Sequence, residues 1–113
     1  MRFFLSIFVL AALAGCDLNT TKIKSEVKSP DGKYVATAFI NDAGATSSWS
    51  PQVHLRRVGE RMERIGNVFV GYRSPKIQIE WLSSSQLVVY CDCEVIQHVI
   101  NYHGITIEKR TSK

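Results

Sequence analysis

Ser29-Pro30-Asp31-Gly32-Lys33-Tyr34-Val35-Ala36-Thr37-Ala38-Phe39-Ile40 is the stretch that decides the fold. Its first four residues read as a tight turn, with proline preset for the second position and glycine suited to the last. The strand that follows puts Tyr34, Ala36, Ala38 and Ile40 on one face and Val35, Thr37 and Phe39 on the other. A strand at a solvated edge alternates apolar with polar residues. This one is apolar on both faces, so it belongs in the middle of a sheet with cover on each side.

The same punctuation continues in both directions. Upstream, Asn19 to Lys24 reads as a polar tether that runs into a first strand ending near Val27. Downstream, Asn41 to Pro51 reads as a long loop of small residues, and Gln52 to Val58 as a strand with Val53 and Leu55 inward and His54 and Arg56 outward. A charged connection, Gly59 to Gly66, leads to a strand over Asn67 to Tyr72 and a turn at Arg73-Ser74-Pro75-Lys76. Ile77, Ile79 and Trp81 alternate with Gln78 and Glu80, a half-buried strand. It turns at Ser83 to Gln86 into Leu87 to Cys91. Trp81 is expected to lie buried against Ile77, Ile79, Leu87 and Val89. Between Asp92 and Tyr102, Val95, Ile96, Val99 and Ile100 suit either a helix or a strand. His103-Gly104 turns into a last strand, Ile105 to Lys109. The fold class expected is mainly β: a small single-domain antiparallel sheet or sandwich, with one short helix near 94–101 as the open alternative.

The N-terminus has a different character. Arg2 is followed by an apolar run, Phe3 to Leu13, broken only by Ser6. Its length suits the apolar region of a secretory signal and falls short of the roughly 20 residues needed to span a bilayer. Ala14 and Gly15 are small, and Cys16 follows. Leu13-Ala14-Gly15-Cys16 resembles the cleavage box of a bacterial lipoprotein signal. The resemblance implies that Cys16 is lipidated on sulfur, becomes the mature N-terminus and is then acylated. Multiple chains would hold it in the membrane permanently, which one chain does not. Asp17 resembles the signal that retains enteric lipoproteins in the inner membrane, facing the periplasm. The domain plan is a signal peptide over 1–15, lipidated cysteine and tether over 16–24, a β domain over 25–110 and a polar tail over 111–113.

Removal of residues 1–15 leaves 98 of the 113 residues, room for one domain with a modest core. Arg2 is the only charge lost, so thirteen basic and ten acidic residues remain, a net +3. That suits a domain beside anionic lipid and is too weak to point to nucleic acid. After Cys16, two cysteines remain, Cys91 and Cys93. In an oxidising compartment a disulfide between them, an intermolecular or absent bridge, and a metal site are the open readings.

Ser29-Pro30-Asp31-Gly32-Lys33-Tyr34 and Ile79-Glu80-Trp81-Leu82 resemble blade elements of TolB-type propellers, but the mature chain is too short for the four or more blades required. The better resemblance is to small uncharacterised bacterial exported proteins. It is carried by the same opening, by Asp42-Ala43-Gly44-Ala45-Thr46, by Gly66-Asn67-Val68-Phe69 and by the hairpin from Trp81 to Tyr90. It covers most of residues 25–109 and implies a β-rich fold with no assigned activity.

Four groups of residues bear on function. Asp42, Thr46 and Trp49 in the Asn41 to Ser50 loop offer an aromatic among flexible polar residues, a common contact surface for a protein partner. Asp42 could equally brace the loop and Trp49 cover the core edge. Arg56, Arg57, Arg61 and Arg64, interleaved with Glu60 and Glu63, could meet anionic headgroups or be a solvated hairpin end with local ion pairs. Cys91, Cys93, His98 and His103 are zinc-type ligands at a spacing that fits no closed site. Asp42, His54 and a serine could make a triad, but no nucleophile elbow is present. The expectation is therefore a lipid-anchored, non-catalytic protein-binding module of the cell envelope, without cofactor, metal or nucleic acid. The alternatives are an accessory subunit of an envelope assembly, marked by an exposed apolar patch, or an inhibitor of an exogenous lysozyme or toxin.

Overall fold

Nine strands and no helix make up the computed structural model, which describes residues 20–42 and 49–112. They are β1 (Thr20–Lys28), β2 (Tyr34–Asp42), β3 (Trp49–Arg57), β4 (Phe69–Tyr72), β5 (Gln78–Ser83), β6 (Gln86–Tyr90), β7 (Glu94–His98), β8 (Asn101–Tyr102) and β9 (Ile105–Arg110). One sheet has the order β1-β2-β3-β4-β7 and the other β5-β6-β9-β8. Ala36, Ala38, Ile40, Val53, Leu55 and Phe69 of the first pack with Leu87, Val89, Ile105 and Ile107 of the second in one core. Cys16, the signal segment and Thr46 lie outside the described residues.

The turn before β2 is held by its own side chains. Ser29 Oγ donates to Asp31 Oδ1 at 2.6 Å, and the amides of Lys33 and Tyr34 donate to Asp31 Oδ1 and Ser29 Oγ. The Ser29 hydroxyl, then the Lys33 amide, hold the Asp31 carboxyl below its ordinary pKa. β2 then lies between β1 and β3, as its two apolar faces require. Its outer face, with Val35, Thr37 and Phe39, is covered by the charged connection. Gly66 N donates to Gln52 Oε1 at 2.7 Å, Asn41 Nδ2 to the Arg64 carbonyl, and Asn67 brackets Leu55 with two bonds.

Three readings of the sequence need correction. Residues 94–98 form strand β7 at the edge of the first sheet, so the short helix near 94–101 is not there. The chain crosses between sheets at Val99 and Ile100, so the apolar spacing serves two layers, not one helix face. The sheets are not wholly antiparallel: β6 pairs β9 in parallel, because β7 and β8 intervene and bring the chain back in the same direction. His103 and Gly104, both at positive φ, make the two-residue turn that joins β8 to β9. Finally, Trp81 is only partly buried. Its ring packs against the core, but its Nε1–H reaches across to the Val27 carbonyl at 3.0 Å.

Candidate functional site

β1 and β5 are the edge strands on one side of the sandwich, and among the described residues no strand closes the gap between them. On the other side the chain itself passes from β7 to β8, and Val99 N and Ile107 N bond across that crossing. The open side is stapled by Trp81 on Val27 and, between the two turns, by the Asp31 amide on Ser84 Oγ at 3.0 Å. Beyond the staple the sheets part into a groove. Three hollows share it, the largest of about 460 Å³, and each has Lys24 in its wall.

A β-bulge places Lys24 there. Ile23 pairs with Phe39 and Ser25 with Ala38, so Lys24 has no residue opposite it. Such a bulge bends an edge strand and re-aims a side chain. It also switches the alternation: Lys22 shares the core face of Ile40, and after the bulge Ser25 and Val27 share that of Ala38 and Ala36. Lys22 therefore turns into the mouth of the sandwich, beside Asp42, Trp49 and Pro75. Across the groove stand Lys76, Gln78, Tyr90 and Ser112. The Tyr90 hydroxyl donates to Glu80 Oε1 at 2.8 Å. Among the described residues, no side chain pairs with the ammonium groups of Lys22 or Lys24, while the charge of Lys76 acts on Asp92 in the same wall. An anionic or hydrogen-bonding ligand is what this wall can hold.

The disulfide forms the floor at the same end. Cys91 and Cys93 are bridged, with Cα atoms 5.5 Å apart, and Cys91 is buried. The bridge lies on Gly71 of β4, where a Cβ would stand 2.6 Å from Cys93 Sγ, so only glycine fits beneath it. Asp92, between the cysteines, accepts from both the amide and the hydroxyl of Ser112. The hydroxyl, then the amide, lower its pKa and tie the polar tail to the groove.

The sequence candidates fall in different places. Asp42 and Trp49 face each other across the β2–β3 ladder, and both line the mouth. Strand pairing consumes both ends of the expected Asn41 to Ser50 loop. Arg56 lies on the outer face at the other end, donating to Thr37 Oγ1, Glu26 Oε2 and the Glu60 carbonyl. The Arg56 guanidinium, then the Thr37 hydroxyl, depress the Glu26 pKa. Arg57 stacks over Tyr34, and Arg61 and Arg64 are exposed. His98 bonds the Ile107 carbonyl and His103 packs on Tyr102, while the two cysteines are joined to each other. No metal-type cluster gathers among the described residues. His54 pairs with Thr37 on the outer face and Asp42 follows Ile40 on the core face, so the two do not meet. Burial, then the charge of Arg56, pushes the His54 pKa down, and its Nδ1 has no partner.

Lys22, Lys24 and Lys76 were not singled out by sequence reading. Nothing in Thr20 to Lys28 signals the bulge, and the alternation of Ile23, Ser25 and Val27 reads as one unbroken face.

A family of unknown function, DUF5412, matches residues 3–103, and the chain belongs to it. No curated protein and no solved structure matches the chain.

Proposed function

We propose that this member of a family without assigned activity is a lipid-anchored envelope protein that works by binding a protein partner rather than by catalysis. The anchor is Cys16, read from the order of Arg2, the apolar run and Leu13-Ala14-Gly15-Cys16. The inner membrane, facing the periplasm, follows from Asp17 if the host sorts as enteric bacteria do. The observation that carries the binding role is the groove between β1 and β5, where the ammonium groups of Lys22 and Lys24 stand without a side-chain partner among the described residues and Lys76 faces Asp92. Burying such groups against a neutral surface is costly, so an acidic or carbonyl-rich extended segment is the fitting occupant.

Two measurements test this. Radiolabelled palmitate should enter the wild type and not Cys16→Ser, and equal labelling would remove the anchor. A photocrosslinker at exposed Gln78, in the groove wall, should give one discrete adduct in intact cells that Lys24→Glu abolishes. Absence of any adduct at Gln78 would contradict the groove.

A second reading has its own support. Val95, Ile96 and Ile100 are exposed at 45, 64 and 69%, on edge strand β7 and at the crossing beside it. An edge strand with apolar residues is a ready template for pairing with another chain. That favours an accessory subunit of an envelope assembly, with β7 as its contact.

A further inference from the structure

Covalent reach decides which end of the sandwich would meet a bilayer, on the reading that Cys16 carries lipid. Three residues, 17–19, separate Cys16 from Thr20, where β1 starts. Four steps of chain span at most about 14 Å. Register then gathers one end of the domain around Thr20. Thr20 pairs with Asp42, and Asp42 with Trp49. The Trp49 carbonyl accepts from Arg73 N at 2.9 Å, and Arg73 follows Tyr72, the end of β4. Tyr34 and Arg57 mark the opposite end of the β2–β3 ladder. Eight residue steps separate it from Asp42, about 27 Å at roughly 3.4 Å each.

We propose that the Trp49 end is a lipid-docking face that seats the domain on the anionic bilayer holding its anchor. Three observations support it together. Trp49 is 46% exposed, and Arg73, bonded to its carbonyl, follows Tyr72 at the end of the next strand. Trp and Tyr are the residues that settle at headgroup depth. Lys22 and Lys24 line one hollow with Trp49, Arg73 bonds its carbonyl and Lys76 follows in the same turn, and basic residues near a membrane surface are drawn to anionic lipid. The carboxylates at this end offset part of that charge: Asp92, kept ionised by its two bonds from Ser112, Asp42, which also has a partner within the protein, and Glu94 on the far edge. Arg73 also holds φ at 65°, a region disfavoured for an arginine, with its guanidinium over the Tyr72 ring. The turn thus keeps a cation at a backbone position where glycine would be easier.

This gives Trp49 to the bilayer rather than to a protein. It also moves headgroup contact away from Arg56 and Arg57, which sit at the opposite end. The groove would then rise from the membrane surface, with Gln78 and Tyr90 above it.

The test uses the full chain purified from membranes and reconstituted in vesicles containing brominated lipid, a short-range quencher. The chain has two tryptophans, so Trp81→Phe reports Trp49 alone and Trp49→Phe reports Trp81 alone. In brominated phosphatidylglycerol, Trp49 emission should shift to the blue and fall more than twofold, while Trp81 changes little. Lys22→Gln with Arg73→Gln should restore most of the lost emission. Trp49 unquenched, or both tryptophans quenched alike, would overturn the docking face. Equal quenching in brominated phosphatidylcholine would overturn its electrostatic basis. The mass of the same samples separates the causes: lipidated protein with unquenched Trp49 refutes the docking face alone, whereas protein without lipid on Cys16 refutes the anchor.

Discussion

The two ends of the sandwich set their cations in different surroundings. At the Tyr34 end, Arg56 is spent on three acceptors and Arg57 on an aromatic ring. At the Trp49 end, Lys22 and Lys24 have no side-chain partner among the described residues, and Lys76 faces the Asp92 carboxylate. The first end is closed by its own turn, its cover and the Trp81 staple. The second opens into the groove. Exposed lysines stand at both ends, Lys28 and Lys33 among them, so what sets the Trp49 end apart is the groove that its lysines line.

The staple is the place to break this contrast most forcefully. Trp81→Ala should lower stability by about 3 kcal/mol, at the lower edge of the range for a fully buried tryptophan because the ring is partly exposed. Trp81→Phe should cost about 1 kcal/mol, the net value of a hydrogen bond. Urea unfolding measures both. An alanine variant as stable as wild type would mean that β1 and β5 are not held together there.

The disulfide floor at the open end gives the next largest effect. Gly71→Ala should cost about 1–3 kcal/mol through overpacking against Cys93 Sγ. In a Cys91→Ala/Cys93→Ala background the same change should cost less, with the Glu94 carbonyl and the Phe69 ring, both 3.2 Å from the added Cβ, setting the remainder. The double alanine variant alone should keep its β-sheet circular dichroism, since a bridge across so short a loop removes little unfolded-state entropy. Additive costs in a double-mutant cycle would show that the bridge does not set the glycine.

His54 sharpens the contrast from the closed side. Its folded pKa lies below the ordinary 6.5, so the unfolded chain binds the proton more readily. Stability should fall as pH drops below 6.5, by at most about 1.4 kcal/mol per pH unit from this group. His54→Gln should flatten melting temperature between pH 7 and 5 relative to wild type. An unchanged slope would assign the acid sensitivity to other groups. The smallest effect belongs to Trp49→Ala, which should leave stability within about 0.5 kcal/mol. A large loss would make Trp49 part of the core.

Much of the fold is legible from local signals. The turn at Ser29 to Gly32 is spelled by residues that bond one another, and β2 announces its central place by being apolar on both faces. The parallel β6–β9 pair is not legible, because it depends on where the intervening residues 94–102 go. Their spacing fits a helix as well as two strands in different sheets. The site was half legible. Asp42 and Trp49 stand out by type, and the register brings them together. Lys24 does not, because its role comes from a bulge that no residue in β1 announces. The arginine cluster reads as a surface patch, since the acceptors that engage Arg56 come from β1, β2 and the turn at Glu60.

The difference between the ends is tested most directly by neutralising each set of cations and measuring two quantities. Arg56→Gln should destabilise the domain by about 1–2 kcal/mol, because buried Thr37 loses a charged donor and the exposed Glu26 carboxylate its ion-pair partner. That corresponds to roughly 4–8 °C per kcal/mol in a domain of this size. Its Trp49 quenching by brominated anionic lipid should stay at the wild-type level. The triple variant Lys22→Gln/Lys24→Gln/Lys76→Gln should do the reverse, melting within a degree or two of wild type while most of that quenching is lost. If the triple variant unfolds, or if Arg56→Gln is the one that loses quenching, the division between a self-satisfied end and an outward-facing end is wrong.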